Sequence, residues 1–89
     1  MSPYITQDRR TELEELVDLL AFEMEEYFVA GDLNYVIFAS VKRYLQHTGK
    51  GYEKIRNILA ELHECQHEIR RRFLFEHENS KILENGDVE

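Results

Sequence analysis

His63-Glu64-Cys65-Gln66-His67 matches the H-E-x-x-H string of zinc proteases, and it is the one short catalytic signature in this 89-residue chain. In that chemistry two histidines at i and i+4 share a helix face with the metal, and the intervening glutamate polarises the metal-bound water. The rest of such a site is missing here: the sequence offers no third ligand of clear standing and no strand to hold an extended peptide. The same stretch contains Glu64-x-x-His67, the spacing of di-iron carboxylate bundles. With one copy per chain, that chemistry would need a symmetric dimer that turns these residues inward.

Three glutamate pairs at i and i+3, Glu12 with Glu15, Glu23 with Glu26 and Glu61 with Glu64, invite comparison with all-helical nucleotide pyrophosphatases. Such enzymes hold magnesium on phosphates with carboxylates from adjacent helices. The spacing between these pairs differs from theirs, and glutamate is also the ordinary filling of an exposed helix face. Gly49-Lys50-Gly51 could turn backbone N–H groups towards an anion, but it lacks the strand and loop of a P-loop and reads as an interhelical turn. Cys65 falls among apolar positions and is expected to be a small core residue rather than a nucleophile.

The element that must carry the histidines runs from Tyr52 to His77 without an interior Gly or Pro. With Leu62 as zero and about 100° per residue, Ile55, Ile58, Leu59, Cys65, Ile69 and Phe73 fall within roughly 60° of it and form one apolar seam. His63 and His67 then lie about 100° to 140° from the seam and Glu64 about 200°, on its flank and back. His63, Glu64 and His67 are therefore candidate metal ligands on a wet face. No catalytic residue, cofactor or metal is expected.

Two helices precede this one. Thr6 is a candidate N-cap with Asp8 in the first turn, and Leu13, Leu16, Val17, Leu20, Met24, Tyr27 and Phe28 recur at helical spacing, widened by Leu19 and Phe22. Gly31 is expected to end that helix in a left-handed conformation, and Asp32 to cap the next. The second helix carries Leu33, Val36, Ile37, Val41, Tyr44 and Leu45 on one side, with Phe38 pointing elsewhere. The predicted spans are about 6–29, 32–46 and 51–76. From Glu76 the periodicity fades, so residues 78–89 are expected to form an irregular acidic tail.

Composition narrows the class. Hydrophobic residues make up 43% and charged residues 33%, no apolar run approaches the ~20 residues that cross a membrane, and Met1-Ser2-Pro3-Tyr4-Ile5 has no secretory pattern. With a lone cysteine, this points to a cytoplasmic protein. The net charge of −7 is segregated: residues 8–32 hold nine acidic and two basic side chains, residues 33–75 four and eight, and residues 76–89 five and one. Such blocks can pair within a bundle or across a dimer. The overall negative charge works against nucleic-acid binding.

Pro3-Tyr4-Ile5, Leu33-Asn34-Tyr35, Glu68 with Arg71-Arg72, Lys81-Ile82 and the ending Glu84-Asn85-Gly86-Asp87-Val88 resemble, in that order, a family of small uncharacterised bacterial, archaeal and phage proteins. The resemblance spans nearly the whole chain and implies no known activity. The H-E-x-x-H histidines are not part of that family's pattern, and the long Glu-rich first helix departs from it.

The chain thus reads as a single all-α domain, residues 1–89, with two long helices and one short one, assembling as a helical-bundle homodimer. Its expected role is non-catalytic protein association. Phe22, Tyr27, Phe28, Phe38, Arg70, Arg71, Arg72 and Phe73 are the candidate interaction residues. The alternative is a metal-dependent enzyme, of pyrophosphatase or H-E-x-x-H type, built on the helix carboxylates and histidines.

Overall fold

A computed structural model describes residues 2–89, with the backbone alone at Tyr27. Every regular element among them is helical: α1, Gln7–Tyr27; α2, Ala30–Thr48; and a third helical path made of α3, Tyr52–Ile69, a π-helical turn, Arg70–Leu74, and α4, Phe75–Asn85. The chain divides into two compact units, Tyr4–Ile55 and residues 56–89 with Ser2 and Pro3.

In the first unit, Thr6 opens α1 as expected, its Oγ1 accepting the Arg9 N–H at 3.4 Å. Asp8 stands in the first turn, where a carboxylate complements the helix dipole. The break after α1 differs from the sequence reading. It is made by Phe28 and Val29, both in extended conformation, and Gly31 lies inside α2 without a positive φ. Val29 is the N-cap of α2 and has no side-chain acceptor, so Asp32, at the third helical position, supplies the capping group: its Oδ2 accepts the Val29 N–H at 3.2 Å. Asp32 caps from inside the helix rather than from in front of it.

Gly49 stops α2 at φ 85°, a conformation that costs glycine little. The orphan carbonyls of that helix end are met by a cation, since Lys54 Nζ donates to Thr48 O at 2.7 Å and Gly49 O at 3.4 Å. The same ammonium lies 5.9 Å from the centre of the Tyr44 ring, which fixes the turn between α2 and α3.

In the second unit the expected helix end near His77 is replaced by continuation. The π turn closes with the Phe75 N–H donating to Arg70 O, five residues back, and α4 runs on to Asn85. The tail expected from residue 78 is therefore helical as far as Asn85. Gly86, at φ 86°, is the C-cap, its N–H donating to Ile82 O at 2.8 Å. The Asn85-Gly86 turn signal marks this cap. Helix lengths also depart from two long and one short: α1 and α2 have 21 and 19 residues, and the third path carries 18, 5 and 11 in succession.

No described residue is buried. In the first unit Leu13 and Leu20 of α1 and Leu33, Ile37, Val41 and Leu45 of α2 are half-buried, the four-residue spacing of a helix seam. In the second, Ile58 and Glu68 are the half-buried positions. The seam expected on the third helix is otherwise open, and Cys65, expected in a core, is exposed.

Candidate functional site

The π turn sits where the Arg70-Arg71-Arg72 run meets Phe73 and Leu74. Arg71 reaches back one turn to Glu68, donating from Nε to Oε1 at 3.0 Å and pairing again through its second nitrogen. Glu68 is half-buried and Arg71 more exposed. The Arg72 guanidinium lies 5.8 Å from the centre of the Phe73 ring, a cation–π geometry. Phe73 itself is 63% exposed, and Leu74 and Phe75 are exposed beside it. The segment thus presents cations and apolar side chains together.

In the first unit, α1 and α2 border an apolar cavity of about 430 Å³, lined by Leu16, Leu19, Leu20, Glu23, Met24 and Phe28 from α1 and its end, and by Asp32, Leu33, Tyr35 and Val36 from α2. It lies next to the Phe28-Val29 link, where two extended residues replace a helical turn. Two carboxylates, Glu23 and Asp32, are the charged groups of its lining. Asp32 is committed to Val29 N–H. Glu23 has no ion partner among the described residues.

Of the residues expected to mediate contact, Phe28 lines this cavity and Phe22 and Phe38, at 55% and 66% exposure, stand on the open surface of the same unit. The side chain of Tyr27 lies outside the described residues. Tyr35 was not among the expected residues, yet it is 67% exposed and lines the cavity. Its signal was available, because two residues from Leu33 is about 200° around the helix, off the α2 seam.

The metal candidates do not assemble. His63, Glu64 and His67 all lie on α3, but no three His, Cys, Asp or Glu side chains among the described residues converge so as to hold an ion. The same finding covers the Glu12, Glu15, Glu23, Glu26 and Glu61 carboxylates. Glu12 instead accepts from Arg9 at 2.7 Å on the surface of α1. Among the described residues, no helix is long and apolar enough to cross a membrane.

These features define a small all-helical protein whose helices carry exposed apolar faces, with no assembled ligand set among the described residues. The chain belongs to the family described as Domain of unknown function (DUF6899), whose model matches residues 1–88. Neither the comparison with curated proteins nor the comparison with solved structures gives a match.

Proposed function

We propose that this protein is a non-catalytic self-association module of the cytoplasm, working as a homodimer whose contacts come mainly from α1 and the third helical path. One observation carries the reading: no described residue is buried, while large apolar side chains along every helix are exposed, among them Leu16, Leu19, Phe22, Phe38, Leu59 and Phe73. Taking such a side chain from full exposure to burial is worth about 1.5–3 kcal/mol, and more than half of that gain is still open to each of these. A soluble chain that displays this many gains most by covering them against a like surface, and homo-oligomers favour closed two-fold contacts.

Charge supports the same reading. The acidic side chains of α1 and the basic run at Arg70-Arg71-Arg72 are complementary, which favours association between copies and sets their orientation. The acidic excess disfavours nucleic acid as a partner. Light scattering at micromolar concentration tests the proposal. Twice the 10.7 kDa chain mass is expected, and a stable, fully folded species of single-chain mass would overturn it.

A further inference from the structure

We infer that the α1–α2 cavity of one protomer receives the π-turn segment of a second copy, Phe73 and Leu74 entering the apolar space and Arg70 meeting Glu23. The inference rests on the self-association reading above and names the surfaces that carry it.

The cavity asks for a particular guest. Its lining is aliphatic and aromatic, so the guest must bring apolar side chains, and its charged groups are carboxylates, so the guest must bring cations beside them. A space of about 150 Å³ accepts one benzene ring, and this one, at about 430 Å³, has room for two or three groups of that size. Arg70-Arg71-Arg72-Phe73-Leu74-Phe75 is the stretch of the chain in which three cations directly precede three apolar side chains. The π turn holds Phe73 and Leu74 side by side just before α4, three and four residues on from Arg70, and both side chains are exposed.

The ionic partners are also available. Arg71 is engaged with Glu68 and Arg72 with the Phe73 ring, whereas Arg70, like Glu23, has no ion partner among the described residues. When the contact between the cavity of one copy and the π turn of the other is made twice, about a two-fold axis, the assembly closes at a dimer, the arrangement homo-oligomers favour.

A charge exchange tests this pairing. Glu23→Arg alone and Arg70→Glu alone each place like charges at both contacts of a homodimer, and each is expected to weaken dimerisation about tenfold or more. An equimolar mixture of the two variants restores opposite charges at both contacts and should form heterodimers, as should the double variant with itself. In a Cys65→Ser background, Glu23→Cys in one copy and Arg70→Cys in another should give a mixed disulfide on mild oxidation.

The outcomes separate cleanly. A single-chain wild type would sink the self-association reading and this inference with it. A wild-type dimer indifferent to both charge reversals, or one cross-linking Glu23→Cys only to itself, would overturn the pairing and leave the dimer standing. When both cysteines are placed in one chain, cross-linking within single chains at high dilution would make the chain's own π turn the occupant, and the second-copy assignment would fall.

Discussion

Gly31 and Gly49 both have room for a methyl group, since a Cβ built on either meets no atom within 4 Å. Backbone conformation therefore decides what alanine does at each. Gly31 lies in the first turn of α2 at ordinary helical φ, so Gly31→Ala should raise stability by about 0.4–1 kcal/mol through the lower entropy of the unfolded chain. Gly49, with φ 85° and ψ 150°, occupies a region nearly restricted to glycine, and Gly49→Ala should lower stability by roughly 1–3 kcal/mol. Urea unfolding of the two variants checks the opposite signs. A loss at Gly31 would restore the helix-ending role that its position in the sequence suggested. The histidines make a second case at this scale. Because His63, Glu64 and His67 do not converge as a ligand set, His63→Ala with His67→Ala should leave the melting curve within a degree or two of wild type, with or without a chelator. A chelator that removed several degrees from the wild type alone would bring back a structural metal.

At the scale of elements, the capping of α2 depends on one carboxylate. Asp32→Ala removes the acceptor for the Val29 N–H and the favourable charge in the first turn, and should cost about 0.5–2 kcal/mol by thermal or urea unfolding. Asp32→Asn keeps an acceptor and should recover part of the loss. Equal stability of all three chains would mean that water serves Val29 as well. This cap also explains why the α1–α2 boundary is hard to place from sequence. The all-helical class and the Thr6 start were legible because apolar spacing and a capping hydroxyl are local signals. The break at Phe28-Val29 carries neither Gly nor Pro, and its mark is an aspartate three residues inside the next helix, which reads equally well as an N-cap. Helix α4 was hidden for a different reason. Its exposed side chains form no apolar stripe to read, and it continues the helical path before it, with Lys81 paired to Glu84 at 3.3 Å and Gly86 closing the last turn. The cavity was legible only in part, because Phe28 and the leucines are visible as a stripe while the shape they border depends on how α1 and α2 meet at an extended link.

For the whole molecule, stability and assembly should be one quantity. Domains near this length are marginal even with a closed core, and here Leu16, Leu19, Phe22, Phe38 and Phe73 are each more than half exposed. Covering them against a second copy then contributes to folding itself, as in dimers whose protomers are not stable alone. Unfolding of such a dimer to two separate chains depends on concentration, and each tenfold increase adds about 1.4 kcal/mol to the folded side. Two chains of this size together unfold with an entropy at which 1 kcal/mol shifts Tm by about 2–4 °C. The midpoint should therefore rise by roughly 3–6 °C for each tenfold increase in protein, measured by circular dichroism between about 1 and 100 μM. Phe73→Ser should lower the midpoint over that range by uncovering the apolar side of the contact, while the circular dichroism of the folded state stays helical. A wild-type midpoint that stays constant across the hundredfold range would place the stability of the fold within a single chain, and the exposed aromatic side chains would then need another explanation than a second copy.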